Sequence, residues 1–139
     1  ALLPALHRLD RFVVIERDPG FARMLSANFP ELEVHNRCAS TVDQLALDCS
    51  GPVTVVSSLP LISMPRAEVQ RCLSALLALL EQRPGSRLIQ YTYAAPHLRP
   101  FAQIPAGWRW RRVESIWANL PPATVWSLEQ APSTAHLIH

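Results

Sequence analysis

The sequence predicts an α/β protein with a mostly parallel sheet that ends in an antiparallel hairpin. Three observations predict it. Short β-branched apolar runs at 12–15 and 53–56 each stop at a polar residue, as buried parallel strands do. Segments of helical length and spacing lie between the strand-like runs, and parallel neighbours require such crossovers. Near the C-terminus, two strand-like runs are joined by Ala118-Asn119-Leu120-Pro121-Pro122, too short for a crossover helix.

Composition narrows the class. The chain has 139 residues, 49% of them apolar and 17% charged, which suits one globular domain. A net charge of +2 does not by itself imply nucleic acid. All 13 basic residues are arginine, so lysine chemistry such as a Schiff base is excluded in this chain. Cys38, Cys49 and Cys72 are widely spaced and suit a reducing compartment without a disulfide framework. His7, His35, His97, His136 and His139 have no metal-ligand spacing, and no metal site is expected. No apolar run reaches the roughly 18 residues of a membrane span, and no leader peptide is recognisable. The chain opens at Ala1-Leu2-Leu3 without a methionine, so sequence upstream is expected.

The elements follow in order. Leu2, Leu3, Leu6 and Leu9 have helical spacing and read as the last turns of a helix over 1–9. Residues 12–16 form the first strand, ending on Glu16. Asp18 caps a helix over 19–28 with Pro19 at its first position, where a missing N–H costs nothing. Residues 32–36 alternate and predict a second strand, and 41–47 a short helix. A third strand covers 53–57 and runs into the unusually apolar loop 58–65. Val69, Leu73, Leu76, Leu77 and Leu80 mark the buried side of a long helix over 66–82, stopped by Pro84-Gly85. Residues 87–93 predict the fourth strand, and 108–117 with 123–129 the hairpin. Met24 and Met64 are expected to fill the core.

Ligands in such sheets bind at the carboxyl ends of the strands. Those ends present Glu16, then Asn36-Arg37-Cys38-Ala39, then Ser57-Ser58-Leu59-Pro60, then Tyr91-Thr92-Tyr93, with Asn119 in the hairpin. An acid placed as Glu16 is suits a ribose hydroxyl pair. No nucleophile–base pair or hydrolytic carboxylate pair accompanies it. Such a rim suits holding a reactive cofactor against a substrate, with positioning doing most of the catalysis.

Three segments then become specific. Ser57-Ser58-Leu59-Pro60-Leu61-Ile62-Ser63-Met64-Pro65, Gln90-Tyr91-Thr92-Tyr93 and Asn119-Leu120-Pro121-Pro122-Ala123-Thr124-Val125-Trp126, in this order, resemble the bacterial phospholipid N-methyltransferases. These are S-adenosylmethionine-dependent enzymes of class I fold, related to rRNA adenine dimethyltransferases. The resemblance implies a Rossmann-like methyltransferase sheet over residues 1–130, with a tail at 131–139. It implies cofactor binding by Glu16, Arg17, Asp18, Cys38 and Ala39, and S-adenosylmethionine as the cofactor. Ser57, Ser58, Leu59 and Pro60 would form the catalytic motif beside the transferring methyl, and Tyr91, Tyr93 and Asn119 would face the substrate. The implied reaction is N-methylation of a phosphatidylethanolamine-like headgroup in the cytoplasm, peripheral to the inner membrane.

Two departures qualify the pattern. Relatives carry an aspartate where Cys38 stands, and a thiol is a weaker acceptor for the adenine amino group. The family's first strand and its glycine-rich loop are missing, since no Gly-X-Gly occurs. The missing strand belongs between the strands at 12–16 and 53–57. Its absence leaves two buried edges to pair directly, or to oligomerise with another chain. Trp108-Arg109-Trp110-Arg111-Arg112, with Arg99, admits a half-buried strand with a solvated arginine face, a membrane contact, or an RNA contact. Two further readings stand beside the lipid enzyme. One is an RNA adenine N6-methyltransferase, disfavoured because the base-stacking aromatic motif is not found at Ser57-Ser58-Leu59-Pro60. The other is a non-catalytic methyltransferase-like fragment acting as a binding module.

Overall fold

A computed structural model describes residues 11–47, 50–94, 97–101, 103–118 and 122–132. The helix expected over 1–9 and the tail from 133 onward lie outside the described residues.

The N-terminal part is a small βαβ unit. β1 (Val13–Glu16) and β2 (Glu33–Asn36) pair in parallel, with Val14 opposite Val34 and Glu16 opposite Asn36. α1 (Pro19–Asn28) crosses between them. It starts as expected, for the Asp18 carboxylate accepts the Phe21 N–H at 2.9 Å and Pro19 opens the first turn. Only Ala22 is buried on α1, and Met24, expected in the core, is exposed because it points off that narrow seam. A 3₁₀ helix (Ala39–Gln44) follows, earlier and tighter than the helix expected over 41–47, with Val42 buried.

The larger part begins with β3 (Thr54–Ser57) and α2 (Arg66–Glu81), then β4 (Arg87–Tyr93). Gly85 makes the turn out of α2 at a φ of +84°, a region that side chains disfavour. β5 (Trp108–Ile116) and β6 (Ala123–Gln130) form the expected hairpin. The strand order is β3-β4-β6-β5, with β3 parallel to β4 and both β4–β6 and β6–β5 antiparallel.

The sheet is therefore less parallel than the sequence suggests. Its parallel ladders are short, because β1, β2 and β3 have 4 residues each. The hairpin strands have 9 and 8, and β6 returns directly against β4, so the longest ladders are antiparallel. A second difference concerns the two open edges. β1 and β3 do not pair, and no Cα of one lies within 8 Å of a Cα of the other. Neither direct pairing nor a described strand fills the space between them.

One core spans both parts. Leu73, Ala75, Leu76, Leu77, Leu79 and Leu80 of α2 pack with Val42, Leu88, Leu128, Phe101 and Trp108. The buried arc of α2 is wider than its sequence pattern suggested, because the 3₁₀ helix covers one side and the sheet the other. The apolar loop after β3 belongs to this core: Leu61 is buried, and Leu59 and Met64 pack against it.

Two outcomes follow. Leu80→Ala empties a site that is 1% exposed and loses about 2–5 kcal/mol, read by urea unfolding. At the start of the chain, Arg11 donates to both oxygens of Glu33 at 2.7 and 2.8 Å, and His35 bonds it at 2.7 Å. These partners hold the Glu33 carboxyl at about 2. Because the folded value lies below the ordinary one, this support is complete above about pH 4.5 and is lost as pH falls toward 2. Glu33→Gln flattens the acid limb of a stability–pH profile between these values, and an unchanged limb counts against the assignment.

Candidate functional site

The carboxyl ends of β1 and β2 meet at a network of polar groups. The β1 strand delivers Glu16 to its end, and the chain then turns sharply into α1. One Glu16 oxygen makes this turn, accepting the Asp18 N–H at 2.7 Å. No other described group bonds the carboxylate, which leaves its second oxygen able to accept from a ligand. Asp18 caps α1 through one carboxylate oxygen, which accepts the Phe21 N–H. Asn36 Nδ2 donates to the carbonyls of Glu16 and Arg17, both at 2.9 Å, and so locks the end of β1 onto that of β2. Arg17 reaches across to Glu68 at the start of α2, at 2.9 Å.

Cys38 and Ala39 stand at the entry to the 3₁₀ helix, next to this network. The Ser40 hydroxyl donates to Cys38 Sγ at 3.1 Å. That hydrogen bond and a second from the Ser40 backbone pull the Cys38 thiol below its usual value, with a smaller contribution from Arg17. Burial pushes the Cys72 thiol on α2 upward.

The Ser57-Ser58-Leu59-Pro60 turn lies at the end of β3. Ser57 is buried and its Oγ accepts the Leu59 N–H at 3.3 Å. The Leu59 carbonyl accepts from Gln90 Nε2 at 2.9 Å. The Pro60 carbonyl accepts from Ser63 and Met64. Of these four residues, Ser58 and Pro60 face solvent, while Ser57 and Leu59 shape the turn. Gln90 is fully buried, and its Oε1 has no partner.

Tyr91 and Tyr93 share a face, as alternation requires, and meet edge to face at 4.9 Å. This is the face of β4 opposite α2. Tyr93 is 64% exposed there, so packing beneath that helix is not its role. Asn119 lies outside the described residues. The tryptophan part of the expected membrane surface is turned inward. Trp108 is buried with its Nε1 donating to Glu81 at 3.3 Å, and Trp110 stacks between Phe101 and Trp126. Their partners Arg109 and Arg111 point outward onto Glu129, at 3.1 and 3.3 Å. Arg99 and Arg112 are exposed. No helix among the described residues is long and apolar enough to cross a membrane.

Sequence reasoning thus located Glu16, Cys38 and the Ser57 turn at strand ends, and missed the residues that hold them. Asn36 was visible as a polar residue closing β2. Glu68 gave no signal, being far along the chain from Arg17. Gln90 was seen within its segment without a role.

With this geometry in hand, comparison with solved structures is informative. A crystal structure from Haemophilus influenzae described as a "putative methylase" superposes with a TM-score of 0.57 at 15% identity, over 93% of this chain and 79% of that one. The two share a fold. No family model and no curated protein matches the chain in sequence.

The thiol environment yields a measurable difference. Iodoacetamide modifies Cys38 ahead of buried Cys72, and Ser40→Ala slows the reaction at Cys38 by removing the bond that favours its thiolate. Peptide mapping by mass spectrometry separates the sites; equal rates, or no effect of the substitution, contradict this reading.

Proposed function

We propose that this chain is part of an S-adenosylmethionine-dependent methyltransferase that N-methylates the amine of a phospholipid headgroup. The observation that carries the enzyme class is the methylase-like fold with a carboxylate, Glu16, at the end of a half-buried strand and one oxygen uncommitted among the described residues. The lipid substrate rests on the sequence resemblance at residues 57–65, 90–93 and 119–126. The exposed Arg99 and Arg112 offer anionic headgroups a basic surface.

The residues fit the adenosine end of the cofactor. Glu16 would accept from the ribose hydroxyls, and Cys38 and Ala39 would lie beside the adenine. When bound, the cofactor supplies a methyl group on a positively charged sulfur. Ser58 and Pro60 face the space beyond β3 from a turn held rigid by Gln90 and Ser57. Such a turn places an acceptor amine without being consumed, and orientation is what methyl transfer to an amine chiefly needs. Tyr91 and Tyr93 lie on the opposite face from Gln90, so their expected substrate role requires a substrate that reaches around the sheet edge. The unfilled space between β1 and β3 favours a second reading, in which the chain alone is a non-catalytic binding module.

Calorimetric titration with S-adenosylmethionine separates the two. The methyltransferase reading expects binding that Glu16→Gln weakens roughly tenfold or more, the worth of a hydrogen bond to a charged group. Glu16→Gln keeps an oxygen for the Asp18 N–H, so the turn survives. Binding insensitive to this substitution removes Glu16 from the site. No binding to the folded chain supports the module.

A further inference from the structure

Two free thiols meet where the 3₁₀ helix packs on α2. Cys38, at the entry to the 3₁₀ helix, is half-buried, and Cys72, on α2, is buried. They are far apart in sequence, yet the Cys38 thiol acts on Cys72 both through its charge and as a hydrogen-bonding neighbour. Core packing brings them there, for Val42 of the 3₁₀ helix shares one cluster with Leu73 and Leu76 of α2.

An ion pair fixes the same spot. Glu68 and Cys72 are four residues apart on α2 and so share a face. Arg17 donates to Glu68 at 2.9 Å, and the charges of both reach Cys38. Arg17 after β1, Cys38 after β2, and Glu68 and Cys72 on α2 thus converge at the junction of the two sheets.

The two thiols are chemically unlike. The Ser40 hydroxyl donates to Cys38 Sγ at 3.1 Å, which favours the thiolate, the form that attacks an oxidant. An open groove lined by Ser40, Asp43, Gln70 and Arg71 runs between the 3₁₀ helix and α2, beside the neighbours of both cysteines. Cys72 keeps its proton, first because it is buried and next because of the negative charge on Cys38. That second cause vanishes once Cys38 is oxidised to a neutral S–OH. An accessible thiolate backed by a second thiol is the arrangement of a peroxide-reactive cysteine and its resolving partner.

We propose that Cys38 and Cys72 form a peroxide-driven disulfide site in which Cys38 reacts first and Cys72 resolves it. The Cys38 thiolate attacks one oxygen of hydrogen peroxide and the O–O bond breaks. The other oxygen leaves as hydroxide, takes up the proton that Cys38 released and becomes water. The Cys72 sulfur then attacks the Cys38 sulfur, the S–O bond breaks, and the departing hydroxide leaves as water with the Cys72 proton. Two electrons pass from the thiol pair to the peroxide. The new bond ties the βαβ unit to α2 across a junction where β1 and β3 share no hydrogen bond. The site rests on the thiol pair and is independent of methyl transfer.

Peptide mapping of the reduced chain after treatment with hydrogen peroxide tests it. Cleavage at arginine and aspartate distinguishes the three cysteines, since Asp43 and Asp48 lie between Cys38 and Cys49. The expected product is a linked Cys38–Cys72 peptide, returned to free thiols by dithiothreitol, from a chain that stays monomeric on a non-reducing gel. In urea the same treatment scatters links among all three cysteines, a control that needs no variant to fold. Cys72→Ala leaves the Cys38 sulfenic acid to be captured by dimedone. Cys38→Ser slows the oxidation of Cys72 roughly tenfold or more, because the thiolate that begins the reaction is gone. No link, a link through Cys49, a link between chains, or an equal yield of the Cys38–Cys72 link in urea overturns the proposal. So does Cys38 oxidised beyond the sulfenic acid while Cys72 remains a free thiol.

Discussion

The packing of α2 between the 3₁₀ helix and the four-stranded sheet is the interaction on which the rest depends. β1 and β3 share no hydrogen bond, so backbone pairing does not join the two sheets. What joins them is side-chain burial: Val42 and Ile15 on one side, Leu88 and Leu128 on the other, with the leucines of α2 between. Apolar burial is non-directional and tolerates the unpaired edges of β1 and β3 in a way that a ladder does not. The Arg17–Glu68 ion pair spans the same junction, but it is largely solvent-exposed and contributes orientation more than stability.

That arrangement decides where the site is firm and where it is open. Around Glu16 the backbone is cross-tied by Asn36, by the Asp18 amide and by the α1 cap, all at 2.7–2.9 Å. Around Ser57 the turn is tied by Gln90 and closed by apolar residues that reach into the core. Between these two fixed points lies the position where β1 and β3 fail to meet.

The buried polar groups of β4 and β6 deepen the same picture. Gln90 and Thr124 are wholly buried, and each retains an oxygen without a partner. Both lie on the core-facing side of the sheet, where an apolar residue would pack at lower cost. Gln90 compensates by donating to the Leu59 carbonyl, which makes it a positioning residue for the turn at the end of β3.

Taken alone, the sequence determined most elements, and it did so through local physics. Pro19 after Asp18 started α1, Pro84-Gly85 stopped α2, and β-branched runs marked β1 and β3 to within a residue. The short joint after residue 117 required the hairpin. Tertiary structure decided what depends on distant neighbours. It turned Trp108 and Trp110 inward while their arginine partners stayed in water, because only one face of β5 meets the core. It placed Glu68 against Arg17 and Ser40 against Cys38, pairings that no spacing in the chain announces. Above all it kept β1 and β3 apart, since whether two edges meet depends on the side chains packed between and beneath them, not on the residues of either strand.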